Sequence, residues 1–318
     1  MSSEREPGQR RTEESQRSAA SVGVFGVGNM GGPMTLNLLA SGATVHVYGR
    51  TPARLERVIA AGAVSSATPR ALAESSTIIL SMLPDLPQLR DILHGENGII
   101  AGVSEPSILV VGSTSSPTGV RELAAEVASA TNGLLRVVDA PVSGGADGAA
   151  AANLSIMVGG TAEDFAAIEP TLSVLGKPVL LGPLGSGQIA KACNQMIVAS
   201  TMLALSEAAV IAERSGLDVA ALLDVLAGGY AGSNLLEARK QRLIEKDYSV
   251  SGVARFMVKD LGFARAAAEA TGTTTPQLTL LQDVYSDLVD KGLGELDLSV
   301  AHAYIAALSG ASDESAAL

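Results

Sequence analysis

Short apolar runs alternate with amphipathic stretches along the first half of the chain. The runs whose composition favours β-structure are 21–25, 44–48, 77–82, 107–111, 134–139, 154–158 and 178–181. Segments of helical periodicity, such as 34–40, 53–61 and 121–130, lie between several of them. Strand, helix and strand at this spacing predict a parallel sheet covered by helices on both faces, which Gly182 and Pro183 then interrupt.

The second half has a helical period almost throughout. Its predicted helices are 188–214, 219–226, 234–245, 253–270, 276–291 and 297–308. We therefore predict two domains, an α/β domain over 20–183 and an all-helical domain over 184–318. The polar residues 1–19 show no period and are predicted to be a disordered tail.

The first predicted helix of the second domain is apolar nearly all round. A helix exposed on one side is not expected to have this pattern, so we expect 188–214 to lie between domains or between subunits. The expected assembly is a homodimer or a homotetramer. The helix is not predicted to span a membrane, because its apolar run from 192 to 206 is too short and contains Asn194 and Gln195.

The amino-acid composition of the chain limits the kinds of ligand and partner that it is expected to bind. The chain has 318 residues and a net charge of −11 with no basic run, which argues against nucleic acid. The single cysteine, Cys193, excludes an internal disulfide, and a reducing cytoplasm is the expected location. His46, His94 and His302 have no mutual spacing typical of a metal site, so no metal is expected.

A glycine-rich segment follows the first predicted strand and precedes a helix. This is the context of a dinucleotide-binding turn, in which the glycines permit a tight turn and close approach to a pyrophosphate at a helix start. It predicts a Rossmann doubly wound parallel sheet. A structural turn without a ligand is the alternative. The predicted cofactor-binding residues of this turn are Gly26, Val27, Gly28, Asn29 and Met30.

The end of the second strand carries Arg50 and Thr51, where NAD enzymes usually place an acid for the ribose hydroxyls. A guanidinium with an adjacent hydroxyl suits a 2′-phosphate, because it forms forked, charge-assisted hydrogen bonds. We therefore expect NADP as the cofactor, with NAD as the alternative. A solvated Arg50 beside a helix start is the structural alternative.

Lys191 stands at the front of the long apolar helix, beyond the nucleotide site. Burial disfavours its ammonium form and moves its pKa towards neutrality, where proton transfer in both directions is feasible. Such a group beside a dinucleotide indicates hydride chemistry on a carbonyl or an alcohol. Asn194 and Gln195 share its helical face and are predicted to hold the substrate, or else to satisfy a loop backbone. A lysine whose amine reaches solvent is the alternative for Lys191.

Taken together, these segments resemble the β-hydroxyacid dehydrogenase family over about residues 20 to 310. The matching motifs are GVGNMGGPM at 26–34, DAPVSGG at 139–145, GSGQIAKACNQ at 185–195 and KDL at 259–261. Two further stretches, 82–84 and 112–114, look like family loops that line the cofactor. Many relatives carry Asn at both 194 and 195, so Gln195 leaves open which amide orients the substrate.

The resemblance implies a role for several residues. Lys191 matches the catalytic lysine, which protonates the carbonyl oxygen during reduction and removes the hydroxyl proton during oxidation. Ser143, Gly144 and Gly145 match the grip on the substrate carboxylate, although a plain glycine turn has the same geometry. The other implied contacts are to the cofactor, by Met82, Leu83, Pro84, Thr114 and Lys259. Gln88 is a further candidate for the same contact, and Asp260 is expected to be a structural neighbour of Lys259 or to support its helix.

The resulting expectation is an NADP-preferring oxidoreductase acting on a small β-hydroxy acid or its semialdehyde. The resemblance suggests substrates of the 3-hydroxyisobutyrate, tartronate semialdehyde, glyoxylate or succinic semialdehyde type. An imine reductase of the same architecture is one alternative, although it generally lacks the lysine. A non-catalytic NADP-sensing module is another, although it has no need of a proton donor.

Overall fold

A nine-stranded sheet forms the first part of the molecule. The computed structural model describes residues 21–310, and the predicted tail 1–19 lies outside the described residues, as do 311–318. The strands are β1 Ser21–Phe25, β2 Thr44–Tyr48, β3 Val64–Ser65, β4 Ile78–Ser81, β5 Ser107–Val111, β6 Leu135–Asp139, β7 Val142–Ser143, β8 Leu154–Gly159 and β9 Gly176–Gly182. Their order in the sheet is β3-β2-β1-β4-β5-β6-β8-β7, with β9 also paired to β8.

The central strands are apolar on both faces because helices cover both. Every residue of β4 and of β5 is buried, as a parallel sheet with two covered faces requires. Two apolar cores result, one on each face: Val24 and Val110 belong to one, and Phe25 and Leu109 to the other.

Eight helices connect or flank these strands. They are α1 Gly31–Ala40, α2 Glu56–Ala60, α3 Pro69–Glu74, α4 Leu86–Leu93, α5 Ile99–Gly102, α6 Pro117–Ala130, α7 Gly145–Ala150 and α8 Ala162–Ser173. A short 3₁₀ turn at Pro52–Arg54 precedes α2. The predicted α/β class is confirmed.

The sheet departs from the predicted all-parallel pairing at one end. β8 runs antiparallel to β6 and β7, whereas the pairs from β3 to β6 and the β8–β9 pair are parallel. The chain between β7 and β8 holds only the short helix α7, which is too little for a crossover to a parallel partner. β3 and β7 were missed from the sequence, because each has two residues and shows no alternation.

The described residues after β9 form helices and loops. The helices are α9 Ser186–Arg214, α10 Val219–Ala227, α11 Asn234–Glu245, α12 Phe256–Thr271, α13 Pro276–Asp290 and α14 Ala301–Leu308, with a 3₁₀ turn at Leu298–Val300. α9 contacts all five of the later helices and also β6, β7, β8 and β9. It therefore connects the sheet to the helical core.

Within residues 21–310, α9 alone is long and apolar enough to span a membrane. Half of its most apolar window is buried inside the protein, as in the core helix of a folded domain. Its buried side faces a core that includes Leu261, Leu281 and Tyr285.

Candidate active site

The glycine-rich turn between β1 and α1 has a backbone that only glycine fits. Gly26 has φ 83°, and a Cβ placed there would lie 2.5 Å from the Met82 backbone. A Cβ on Gly31 would lie 2.2 Å from the Gly26 carbonyl oxygen, so the helix approaches the strand closely. At Gly28 a Cβ would meet nothing within 4 Å, which leaves open space outside the turn. These features fit a bound dinucleotide.

A cleft of about 550 Å³ opens beside this turn. Gly28 and Asn29 line one side of it, and Arg54 and Arg57, from the segment after β2, line another. Arg50 is exposed at the end of β2 and is not among the residues that line the cleft. Among residues 21–310, Arg54 and Arg57 form no ion pair with an acidic side chain.

Lys191 lies in the second turn of α9 and is 8% exposed. Burial lowers the pKa of its amine to about 8, with Lys259 acting in the same direction and Asp260 opposing both. No hydrogen bond or ion pair within residues 21–310 engages this amine. It is therefore a shielded base whose two protonation states are both accessible near neutral pH.

A buried carboxylate from α12 reaches the same face of α9. Asp260 is 4% exposed, and its Oδ2 accepts a hydrogen bond from Gln195 Nε2 at 2.7 Å. Burial raises the pKa of Asp260, whereas Lys259, Gln195 and Lys191 lower it. Asn194 Nδ2 in turn donates to Gln195 Oε1 at 3.0 Å. Gln195 thus uses both ends of its amide within the protein.

Lys259 joins the helical part of the molecule to the ends of two strands of the sheet. Its amine donates to the Thr114 carbonyl oxygen at 2.6 Å and to the Pro84 carbonyl oxygen at 3.2 Å. It also lies 3.6 Å from Asp260 Oδ1. The predicted residues Lys259, Thr114 and Pro84 are therefore brought together, after β4 and β5.

Four other predicted cofactor contacts lie in the segments that follow β2 and β4. Met82 and Leu83 are half-buried in the segment that follows β4, and the Met82 amide donates to the Phe25 carbonyl oxygen at 2.8 Å. Gln88 lies in α4, where its Oε1 is buried without a hydrogen-bond partner in the described part of the chain. Thr51 is exposed beside Arg50.

The predicted carboxylate grip begins at β7. Ser143 is half-buried, and Gly144 and Gly145 are exposed with φ of 141° and 64°. Backbone amides in a glycine turn of this kind can hold an anion. α9 contacts β7, the strand that leads into this turn.

Three side chains that bear on the site were given no catalytic or binding role from the sequence. Asp139 is fully buried at the end of β6, and burial raises its pKa to about 6 although three backbone amides and Arg121 oppose the shift. Gln188 is fully buried in the first turn of α9. Asp260 was predicted only as a structural neighbour of Lys259. Asp139 and Gln188 are polar residues inside the motifs at 139–145 and 185–195, and that position was the available signal for these two.

Comparisons with known proteins agree with this arrangement. A family model described as the NAD binding domain of 6-phosphogluconate dehydrogenase matches residues 21–195. A second, described as the NAD-binding of NADP-dependent 3-hydroxyisobutyrate dehydrogenase, matches residues 185–305.

Curated relatives match over nearly their whole length. The chain is 36% identical to 2-hydroxy-3-oxopropionate reductase of Escherichia coli, covering 87% of this chain and 94% of that protein. It is 32% identical to NAD-dependent L-serine dehydrogenase of Pseudomonas aeruginosa, covering 88% and 95%. Among solved structures, Mycobacterium tuberculosis 3-hydroxyisobutyrate dehydrogenase with L-serine has a TM-score of 0.78 at 29% identity, covering 90% and 99%.

The fold and these relatives define an NAD(P)-dependent oxidoreductase that acts on small hydroxy acids. The chain belongs to the β-hydroxyacid dehydrogenase family, as the sequence motifs predicted. An imine reductase from a Pseudomonas species shares the fold at a TM-score of 0.59 and 21% identity. At that identity the likeness concerns the fold alone.

Proposed function

We propose that this protein is an NADP-preferring oxidoreductase of small β-hydroxy acids and their semialdehydes, with Lys191 as general acid and base. The observation that carries the proposal is the Lys191 amine, buried on α9 with a pKa of about 8. The nicotinamide supplies or accepts the hydride when it is bound. Lys191 supplies the proton to the carbonyl oxygen in reduction and takes it from the hydroxyl in oxidation.

The same face of α9 supports a role in holding the substrate. Gln195 is bound to Asp260 and accepts from Asn194, so it fixes the orientation of Asn194 beside Lys191. We therefore assign the contact with the substrate oxygen to Asn194 and the support of that contact to Gln195. Ser143 with the amides of Gly144 and Gly145 would hold the substrate carboxylate.

The preference for NADP is supported by positive charge beside the glycine turn. Arg50 and Thr51 follow β2 directly, and Arg54 and Arg57 line the adjacent cleft without acidic partners in the described part of the chain. No acidic side chain stands at position 50 to hold free ribose hydroxyls. The name of the Pseudomonas relative, an NAD-dependent enzyme, makes NAD the necessary comparison.

Steady-state kinetics with both nicotinamide cofactors would test this proposal. The panel would hold 3-hydroxyisobutyrate, L-serine, tartronate semialdehyde, glyoxylate, succinic semialdehyde and a cyclic imine. We expect turnover of at least one hydroxy acid or aldehyde, with kcat/KM at least tenfold higher for NADP than for NAD. Arg50→Ala should remove most of that tenfold difference, because the 2′-phosphate would lose a forked partner.

Each unfavourable result has a distinct meaning. Equal kcat/KM with the two cofactors would overturn the NADP preference but leave the chemistry intact. Turnover of the imine alone would favour imine reduction. Binding of NADP with no turnover of any compound would favour a cofactor-sensing role over catalysis.

We also propose that the protein is a cytoplasmic homo-oligomer built on α9. Ile189, Cys193, Ile197 and Ala204 are exposed on one side of that helix, over about 22 Å. We name these four residues the α9 stripe. Between 188 and 206 the only charged residue is Lys191, which is buried. A second copy could therefore pack on the stripe without like-charge repulsion, despite the net charge of −11.

A further inference from the structure

The first turn of α9 is held by a carboxylate from the end of β6. Asp139 Oδ1 accepts from the Gly185 amide and Asp139 Oδ2 accepts from the Gln188 amide, both at 2.7 Å. The first amides of a helix have no partner within the helix, and an anion there is also favoured by the helix dipole. Asp139 therefore fixes where α9 starts relative to the sheet.

Two glycines that pack against Asp139 have no room for a side chain. A Cβ on Gly159 would lie 2.3 Å from Asp139 Oδ1, and a Cβ on Gly187 would lie 2.2 Å from the Met157 carbonyl oxygen. Any side chain at either glycine would push the helix start away from the strands. The close approach of α9 to β6 and β8 thus depends on these two glycines.

Gln188 ties the same turn to the segment after β5. Its Oε1 accepts from the Ser115 amide at 2.8 Å, and its Nε2 donates to the Ser113 carbonyl oxygen at 2.9 Å. The side chain is fully buried, so water does not compete for either bond. Gln188 binds the backbone on both sides of Thr114 and holds this segment in one position.

This connection joins two parts of the proposed active site, the segment 113–115 and the first two turns of α9. Thr114 is a predicted cofactor contact, and its carbonyl oxygen also accepts from Lys259. Lys191 lies three residues after Gln188, one turn further along the same helix and on the same face. A shift of the first turn of α9 against the strands would therefore move the amine relative to the cofactor.

We propose that Gln188 and Asp139 are positioning residues, which set the distance between the Lys191 amine and the cofactor by fastening the first turn of α9 to 113–115 and β6. The inference rests on the proposed role of Lys191. Its consequence is that loss of these bonds lowers the rate of the chemical step more than it lowers affinity for either ligand, because misplacement of a reacting group by about 1 Å can reduce rates about 100-fold.

The test is kinetics of Gln188→Leu in the full chain, with a substrate that the wild type turns over. Leucine keeps most of the volume and removes both hydrogen bonds. We expect kcat to fall at least tenfold, while the substrate KM and the NADPH dissociation constant change less than threefold. NADPH binding can be followed by its own emission, since the chain has no tryptophan.

An isotope measurement separates positioning from lost folding. With nicotinamide deuterated at the transferred hydrogen, a slowed chemical step gives a primary isotope effect on kcat at least as large as that of the wild type. A partly unfolded preparation loses active enzyme and keeps the wild-type effect and the wild-type KM. Gln282→Leu is the matched control, because Gln282 also loses a side-chain hydrogen bond, to Arg265, far from the start of α9. We expect it to keep wild-type kcat.

Two further variants keep the inference open to contradiction if Gln188→Leu does not fold. Gln188→Glu is isosteric and places a carboxylate oxygen against the Ser113 carbonyl, and Asp139→Asn turns an NH₂ group towards a helix amide. Both should also lower kcat at least tenfold. A folded variant of either residue with kcat within twofold of the wild type would overturn the inference for that residue. Failure of the proposed function is a different result, in which the wild type itself does not turn over or Lys191→Ala retains full kcat.

Discussion

At the scale of single residues, the amine of Lys191 has a chemistry set by its surroundings. Burial lowers its pKa from the ordinary 10.5 to about 8, and the negative charge of Asp260 offsets only part of the effect of burial. The sequence predicted the burial and the direction of the shift from an apolar helix around the lysine. It gave no sign of Asp260 as an opposing charge, because that residue comes from a helix far along the chain.

The pH dependence of the two reaction directions follows from this pKa. Reduction needs the ammonium form as proton donor, so its kcat should fall as the pH rises through about 8. Oxidation needs the neutral amine, so its kcat should rise through the same pH range. The measurement is kcat against pH in both directions with saturating cofactor and substrate. Two profiles that bend in the same direction would contradict the assignment.

At the scale of elements, the contact between α9 and α12 assembles the charged part of the site. Helical periodicity predicted both helices within a few residues, with α12 at 253–270 against the observed Phe256–Thr271. Periodicity does not show which helices meet. The Gln195–Asp260 hydrogen bond could therefore be identified only from the structure.

Asp260→Asn tests this contact between helices. Asparagine keeps the shape and can still bind Gln195 through its carbonyl oxygen, but it removes a charge that raises the pKa of Lys191. The pKa of the amine should then fall below about 8. In the pH profile of reduction, the descending limb should move to lower pH by at least half a unit, an order-of-magnitude expectation for one nearby charge.

Asp290→Asn is the matched control, because Asp290 is exposed at the end of α13. Its profile should coincide with that of the wild type. A descending limb that stays in place, or moves to higher pH, in Asp260→Asn would show that the carboxylate does not act on the lysine.

The sheet shows where prediction from the sequence ends. The strands at Ser21–Phe25, Thr44–Tyr48 and Ser107–Val111 were predicted to the residue, because each is a β-favouring run that starts at a serine or threonine and is followed by a glycine. The antiparallel pairing of β8 was not predicted, since a run of apolar residues carries no direction. The role of Asp139 was missed for a related reason: its partners, Gly185 and Gln188, lie on a different element.

At the scale of the whole molecule, the α9 stripe is an apolar surface that the other described residues leave uncovered. Ile197 is 62% exposed in the middle of the α9 stripe. An apolar side chain in the centre of an exposed apolar stripe favours burial against another surface, whereas a single exposed apolar side chain needs no partner. We propose that the surface is a second copy of this chain.

Ile197→Glu should therefore weaken self-association. A charge in the centre of an apolar contact is costly to desolvate, so we expect the mass measured by light scattering after gel filtration to fall to that of a smaller assembly. Val225→Glu is the control, since Val225 is 75% exposed on α10, and its mass should match the wild type. A monomeric wild type, or an unchanged mass in Ile197→Glu, would contradict the proposed interface.

The rate of hydride transfer in Lys191→Ala shows whether Lys191 transfers the proton. The measurement is absorbance at the nicotinamide band under single-turnover conditions, with NADPH affinity measured in the same preparation. Loss of a general acid or base typically lowers rates about 100- to 10,000-fold. Lys191→Met keeps much of the apolar stem and should behave alike, whereas Lys291→Ala, at an exposed lysine paired with Asp287, should retain the wild-type rate.

Both substitutions of Lys191 should abolish most of the hydride-transfer rate, while the NADPH dissociation constant stays within about threefold of the wild type. A rate in Lys191→Met that remains within tenfold of the wild type would contradict proton transfer by Lys191, and so would an equal loss of rate and of cofactor affinity.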